Sequence, residues 1–293
     1  MSPVRAVGAA GLALCLALPL AACTSNHCTG SATCGNENSR VEAPTGGPSS
    51  ASAPFTFTVE QVDPWDACAG GRGKVYLRAP DRSEVAAQLD ARQLTTSAER
   101  EEQQRARAAF DRQHDAVPAD YSVITLTLRG TGSAAVTISS VTPEVTEQKP
   151  VPPEALRIAP VGACGNSNLS SFLVDLDRER PALVFKEGED ADGRKRVRGF
   201  PVQVTQSDPE VLTLIPLTTG GLHSFAFVVH WSDGSALGTT RVTATDGKPF
   251  TVASGNGAHQ YDYLMQGGVF TEPTFRMNPA DPLGEPLPLT PAP

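Results

Sequence analysis

The 293-residue chain is poor in the residues that carry most metal and cofactor chemistry. Three Met are too few for a copper carrier, which needs clustered thioether donors. The five His are scattered: His27, His114 and His259 lie far apart. His223 and His230 share an expected strand, but at a separation of seven they fall on opposite faces. There is no Gly-x-Ser-x-Gly elbow, Ser-x-x-Lys pair, His-Glu-x-x-His helix or phosphate-cradling Gly loop. No cofactor and no metal centre is expected. The apolar run 6–18 is too short to span a bilayer comfortably, and no second run of membrane length occurs. Lys is scarce too, five against nineteen Arg, and 24 cations face 32 carboxylates for a net charge of −8. An acidic body argues against nucleic acid as a partner and against electrostatic capture by anionic lipid.

What is present begins at the N-terminus. Met1 and a single cation, Arg5, precede an apolar stretch, and that stretch ends in Leu20-Ala21-Ala22-Cys23. Those are the three regions of an export signal. With Cys directly after Leu-Ala-Ala, the site resembles the lipobox of bacterial lipoproteins. The resemblance implies that residues 1–22 are removed and that Cys23 carries a diacylglyceryl thioether as the new N-terminus. The partner would be the lipid bilayer and the location the outer face of the cytoplasmic membrane. Two acyl chains hold where one binds reversibly, because each buried CH₂ contributes about 0.8 kcal/mol.

Six Cys occur, and Cys15 would leave with the signal. With Cys23 lipidated, Cys28, Cys34, Cys68 and Cys164 remain, an even number that reads as disulfides in an oxidising compartment. Three connectivities are open. Cys28 and Cys34 are neighbours in sequence, and a Cys68–Cys164 bridge would close roughly a hundred residues, contributing about 4–5 kcal/mol on the chain-entropy model. His27 with Cys28 and Cys34 would make only a three-ligand site on a loose segment, which suits a metal poorly.

Residues 23–54 are Ser, Thr, Asn, Gly, Ala and Pro with almost no large apolar side chain, so a disordered leash is expected. From Phe55 the pattern changes. Phe55, Phe57 and Val59 alternate with Thr56 and Thr58, as a half-buried strand does. Two capping boxes follow, Asp81-Arg82-Ser83-Glu84 and Thr96-Ser97-Ala98-Glu99, so a helical insertion is expected at about 82–115. Its second helix shows a thin apolar face of Ala98, Ala106, Ala109 and Phe110 and reads as a solvated helix packed by one edge. After Pro118 strands take over. Residues 121–129 and 135–145 are expected to form a hairpin around Gly130-Thr131-Gly132. Further strands are expected at 156–159, 171–176, 182–186, 196–205, 210–217, 222–231, 238–245, 250–253 and 260–264. In 222–231, His223, Phe225, Phe227, Val229 and Trp231 share one face and should be central core. About a dozen strands without alternating helices indicate a mainly-β fold, an antiparallel β-sandwich of Ig-like size or larger over 55–270. Seven Pro in residues 271–293 leave a Pro-rich, extended or disordered tail.

Segments of this region resemble an extracytoplasmic β-domain of actinobacterial lipoproteins and membrane-anchored regulators. They are Ile124-Thr125-Leu126-Thr127-Leu128 with Val136-Thr137-Ile138, Val174-Asp175-Leu176-Asp177, Asp208-Pro209-Glu210, and Thr243–Phe250 closed by Tyr261. The resemblance spans about 120–263, implies a β fold outside the cytoplasm, and transfers no catalytic residue. The Arg excess fits a high-GC actinobacterium.

Candidate sites are few. Glu187-Gly188-Glu189-Asp190-Ala191-Asp192-Gly193 hints at a calcium loop, but Gly188 and Gly199 occupy the positions where carboxylates are required. The basic run Arg194-Lys195-Arg196-Val197-Arg198 follows it, and a hairpin turning at Asp192-Gly193 would pair the two. Trp65, Tyr261 and Tyr263 sit in or beside loops and could form an aromatic ligand surface, since such rings stack on sugars and peptide side chains. The expected function is a membrane-anchored binding module for an envelope protein or a wall polymer. The alternatives are an envelope hydrolase or wall-modifying enzyme built on carboxylates such as Asp175, Asp177 and Asp208, and a ligand sensor for a membrane regulator.

Overall fold

The computed structural model describes residues 53–65, 72–89, 96–161, 171–186, 199–244, 247–264 and 269–271, with the short pairs 41–42, 275–276 and 287–288. The chain divides into two units, Met1–Cys34 and Gly35–Pro293, and every described residue belongs to the second. In chain order the elements begin with strands β1 (Val41–Glu42), β2 (Phe55–Gln61) and β3 (Lys74–Tyr76). Helices α1 (Arg82–Leu89) and α2 (Ser97–Gln113) follow, then β4 (Ala116–Pro118), β5 (Ile124–Gly130), β6 (Val136–Lys149) and β7 (Leu156–Val161). Next come β8 (Ser171–Asp175), β9 (Leu183–Lys186), β10 (Val202–Val204), β11 (Glu210–Leu217) and β12 (Leu222–Ser232). The last are β13 (Leu237–Val242), β14 (Phe250–Ala253), β15 (His259–Leu264), β16 (Val269–Thr271), β17 (Phe275–Arg276) and β18 (Leu287–Pro288).

The fold is mainly β. A first sheet runs β1-β2-β5-β11-β8-β9, and a second runs β10-β6-β12-β13 with β14 also on β12. Their inner faces share one core. Ile124, Leu126, Leu128, Val174, Leu212 and Leu214 of the first sheet meet Ile138, Phe225, Phe227, Val229, Trp231 and Val252 of the second. The alternation read in 222–231 is what places these side chains. Trp231 shows how close the fit is: its Nε1 donates to Thr240 Oγ1 at 3.0 Å, and a Cβ on Gly238 would lie 2.3 Å from its ring. Only Gly fits at that position.

Two expectations about strand partners are corrected. β5 and β6 do not form a hairpin: β5 pairs with β2 and β11, and β6 pairs with β10 and β12. The chain arches between sheets at Gly130 because Ile124–Leu128 and Val136–Ile138 each bury an apolar face, and facing sheets satisfy both. Similarly, β9 lies on β8 while β10 lies on β6, so the strands flanking the acidic and basic runs belong to different sheets. Residues 187–198 themselves lie outside the described residues. Nor is the pairing wholly antiparallel, since β11 with β8 and β15 with β7 are parallel. The expected leash and tail each contribute paired backbone: β1 adds to the edge of β2 at Val41↔Val59, and β17 pairs with β18.

A third sheet, β16-β15-β7-β3-β4, carries the helical insertion on one face. Period-two alternation divides its residues. Val75, Val117 and Ala119 cluster with Ala155 and Ala253 on the face towards β14, while Tyr76, Leu156 and Ile158 cluster with Trp65, Val85 and Phe110 under the helices. The Thr96 capping box forms in full, Glu99 Oε2 accepting from Thr96 N at 2.9 Å and Thr96 Oγ1 from Glu99 N at 3.2 Å. At α1 only half of one forms, Glu84 Oε2 accepting from Asp81 N at 2.9 Å while Glu84 N donates to Asp81 O. The expected apolar edge of α2 is corrected. Ala98, Ala106 and Ala109 are exposed, and the less exposed stripe is Gln103, Arg107, Phe110, Asp111 and His114. That stripe follows helical spacing, but only Phe110 in it is apolar.

Arg157 reaches the opposite face of β7 from Leu156 and Ile158, where its Nη2 donates to Asp120 Oδ2 at 3.0 Å. Both side chains are buried. Removing one partner of such a pair leaves an uncompensated buried charge. Asp120→Ala is therefore expected to lower the unfolding free energy by about 3–5 kcal/mol. Arg241→Ala, which breaks the exposed Arg241–Glu144 pair, is expected to stay within about 1 kcal/mol. Urea titrations of the two variants check this; equal losses would contradict it.

Candidate functional site

The residues that combine charge, aromatic surface and unused hydrogen-bonding capacity meet at the seam between α2 and the third sheet. Tyr76, buried on β3, is at its centre. Phe110 and His114 pack edge-on to its ring at centroid distances of 5.8 and 6.5 Å, and Trp65 and Val85 belong to the same cluster. Two residues before Tyr76, on the same face of β3, Lys74 points its Nζ at Asp111 Oδ2, with Asp63 Oδ1 at 4.0 Å. Burial, and next the Asp111 carboxylate, push the Tyr76 hydroxyl above its ordinary range, while Arg107 pulls in the opposite direction. Tyr76 is therefore a neutral phenol at any physiological pH.

The seam is incompletely satisfied. Among the described residues, seven buried side-chain nitrogen or oxygen atoms have no hydrogen-bond partner, and four of them are here: Trp65 Nε1, Arg107 Nε, Asp111 Oδ1 and His114 Nε2. Each such atom costs about 1–3 kcal/mol of desolvation, so native interiors seldom tolerate several together. The partners that do exist are on the other atoms of the same groups. Arg107 Nη2 donates to Gln88 O at 3.1 Å, and His114 Nδ1 lies 3.0 Å from Arg78 O.

Of the expected aromatic surface, the structure brings Trp65 and Tyr261 into this one cluster. Neither is an open platform. Trp65 is 5% exposed, and the ring of Tyr261 is covered by the Arg82 guanidinium at 4.6 Å. Tyr263 pairs through its backbone with Pro160 and Phe270, and its side chain lies outside the described residues, as do Cys23, Cys28, Cys34, Cys68 and Cys164. Lys74, Tyr76, Arg107, Asp111 and His114 went unread in the sequence. The signal was there in the i, i+4, i+7, i+11 spacing of Gln103, Arg107, Phe110 and His114, but polar residues on a helix are normally read as its solvent face.

The carboxylates considered for an enzyme do not converge. Asp208 lies in the turn between β10 and β11, where its N–H donates to Thr205 Oγ1, and Asp175 accepts from Arg178 Nε at 3.0 Å. Asp177 gathers a shell of its own: Oδ1 accepts from Thr218 Oγ1 at 2.6 Å and faces His223 Nε2 at 2.9 Å. Its Oδ2 accepts from Thr219 N at 2.7 Å and Thr219 Oγ1 at 3.0 Å. Burial raises the pKa of Asp177, but the bonds from His223, Thr218 and Thr219 outweigh it and hold the carboxyl well below the usual range. His223 is 0% exposed. The pair has the composition of a catalytic dyad and the burial of a structural one. No group of three or more His, Cys, Asp or Glu among the described residues could hold a metal ion.

Comparison with protein-family models, with curated proteins and with solved structures gives no match to this chain.

Because the folded-state pKa of Asp177 is depressed, its contribution is full above the unfolded carboxyl value near 3.9 and is lost as pH falls below it. Asp177→Ala is expected to cost about 2–3 kcal/mol at pH 7, the scale of hydrogen bonds to a charged group. It is also expected to flatten the stability curve below pH 4. Denaturation midpoints measured from pH 2 to 7 check both, and an unchanged acid limb would refute the assignment.

Proposed function

We propose that this chain is a lipid-anchored extracytoplasmic lipoprotein of actinobacterial type whose β-domain is a binding module for an envelope protein or a cell-wall component. Anchoring rests on Leu20-Ala21-Ala22-Cys23, with Cys23 as the acylated residue. Among the described residues no helix is long and apolar enough to cross a membrane, so Cys23 is the anchor this reading depends on. Disulfides among Cys28, Cys34, Cys68 and Cys164 belong to the same reading.

The observation that carries the binding function is the α2 seam. Four buried polar atoms without partners lie beside the cluster of Trp65, Tyr76, Phe110 and Tyr261, and this concentration of unused hydrogen-bonding capacity and aromatic side chains supports a binding role. The enzyme reading has less support, because a general base must come within hydrogen-bond reach of its substrate and His223 is sealed. A sensor differs from a binding module only in the regulator that reads its occupancy, and it would use the same seam.

Cells expressing the full chain, fed an alkyne fatty acid, are expected to label the protein at Cys23. Cys23→Ala should abolish the label and shift the protein from the membrane fraction to the medium; equal labelling of both would refute lipidation. For the binding function, the oxidised chain is crosslinked in its own envelope and the captured material identified. Enrichment of one envelope protein or of wall polymer is expected, and recovery at background would count against a binding module.

A further inference from the structure

We propose that β13, an outer strand of the second sheet, pairs edge to edge with β13 of a second copy of this chain, antiparallel about a two-fold axis at Thr239. This edge belongs to a different sheet from the α2 seam. Its pairing capacity follows from the direction of the backbone. Ser139 Oγ donates to His230 O at 3.2 Å and Thr146 Oγ1 to Ser224 O at 3.1 Å, so the even-numbered residues of β12 turn their backbone to β6. Backbone direction alternates along a strand, and Phe227, Val229 and Trp231 therefore face β13, opposite Val242, Thr240 and Gly238. The hairpin bond from Asp233 N to Ala236 O keeps the same alternation. Leu237, Thr239 and Arg241 are left with N–H and C=O directed outward, and among the described residues no strand lies beyond them.

The other terminal strands among the described residues are short. β1, β17 and β18 have two residues, β4, β10 and β16 three each and β9 four. Pro118 ends β4, Pro201 directly precedes β10, and Lys186 ends β9. β14, which shares β12 with β13, is bridged to Ala119. Short length, Pro and Lys are the devices that keep sheet edges from pairing. β13 has six residues with no Pro, no Lys and no bulge. Its one charge, on Arg241, is drawn back over β12 to Glu144 Oε2 at 2.8 Å, away from the open side. Leu237 is 86% exposed, the most of any large apolar side chain among the described residues.

The outward groups fit a copy of the same strand. Positions 237, 239 and 241 are symmetric about Thr239, so a reversed β13 brings every outward N–H to an outward C=O. Thr239 meets the copy's Thr239 and Leu237 meets the copy's Arg241, for about six hydrogen bonds in all. On the outer face Arg241 stands opposite Leu237 and not opposite another Arg, and its methylene stem covers that leucine. On the inner face the copy's Thr240 comes opposite Gly238, which has no side chain to obstruct it. The contact is isologous, so it closes at two copies and leaves no open β13 for a third. Its area is small, and the dimer is accordingly weak and concentration-dependent.

Thr239 is the position to test, because its N–H points away from β12 and its side chain is exposed. Full-length protein in density-matched detergent is followed by sedimentation velocity over a range of concentrations. A reversible monomer–dimer equilibrium is expected. Amides of Leu237, Thr239 and Arg241 should exchange more slowly as concentration rises, with those of Gly238 and Thr240 unchanged. Thr239→Pro removes an outward N–H without breaking a bond to β12 and should weaken the dimer about tenfold or more. Thr239→Lys and Thr239→Glu leave every backbone group in place and set like charges on the axis. Each alone should weaken the dimer several-fold, and an equimolar mixture should restore it as a mixed pair. The proposal is overturned if the full chain stays monomeric to its solubility limit, or if its dimer is indifferent to Lys and Glu at position 239. A mixture that associates no better than either variant alone overturns it too. Slowed exchange at Leu237, Thr239 and Arg241 in a protein that remains monomeric would assign the edge to another strand and end the self-pairing.

Discussion

Asp120 and Arg157 touch at 3.0 Å with their side chains 6–7% exposed, and how the three sheets meet depends on that contact. Asp120 follows β4 with φ of 65°, a left-handed conformation that turns the chain out of the third sheet towards the first. Its N–H donates to Ala253 O at the end of β14, and its carbonyl accepts from Thr218 N just past β11. Its second carboxylate oxygen accepts from Gly255 N at 2.7 Å. One residue thus holds strand ends from all three sheets while its charge is met by Arg157 on β7. Gly255 is required here, because a Cβ would lie 2.2 Å from Arg157 Cδ. A buried pair of this kind contributes little net stability compared with apolar residues of the same shape. What it does is select one arrangement, since every alternative packing leaves a charge buried alone.

The two other polar clusters divide by how fully they are satisfied. Around Asp177 four donor contacts converge on two carboxylate oxygens, and only His223 Nδ1 remains unpartnered. Such a network fixes the loop after β8 against the turn between β11 and β12, and it leaves no capacity for a ligand. Beneath α2 the count is reversed. Lys74 pairs with Asp111 and Asp63, and polar atoms on four other groups, one of them the second oxygen of Asp111, are left over. A structure that can satisfy Asp177 so completely is not limited by its repertoire of side chains. The deficit under α2 supports the proposed binding role, since functional regions commonly give up local stability.

Much of this was legible in the sequence and some of it could not be. Alternation in 210–217, 222–231 and 250–253 gave the strands and their buried faces, because side-chain period is a local property. The Thr96 capping box located the start of α2 for the same reason. Partner choice is not local. Residues 124–128 and 136–138 would alternate identically in a hairpin or in two facing sheets, and only the mutual burial of Ile124 and Ile138 in one core decides between them. Asp177 and His223 lie 46 positions apart; alternation puts His223 on the buried face of its strand, but nothing local to either residue names the other. The seam was hidden by a rule that usually holds. Charged residues on a helix normally face water, so the pattern assigns Arg107 and Asp111 to the solvated side and the alanines, which are in fact exposed, to the packed edge.

The relation between the tie and the seam follows from strand geometry. On β7, Leu156, Arg157 and Ile158 alternate, so the strand that anchors to Asp120 on one face presents Leu156 and Ile158 to the seam on the other. Its partner β3 does the same: Val75 stands opposite Arg157 and turns towards β14, while Lys74 and Tyr76 turn towards α2. The floor of the seam is thereby fixed to the sandwich through two paired strands, a buried ion pair and the cluster around Ala253. Its cover is tied to that floor by Lys74 with Asp111 and by Phe110 and His114 against Tyr76. The inward stripe of α2 is mostly polar, the helix leads into β4 through Asp115 in a left-handed turn, and the Arg78–Asp115 pair beside that turn is exposed. Displacing the helix would part Lys74 from Asp111, whereas the Asp120–Arg157 pair lies on the opposite face of the third sheet.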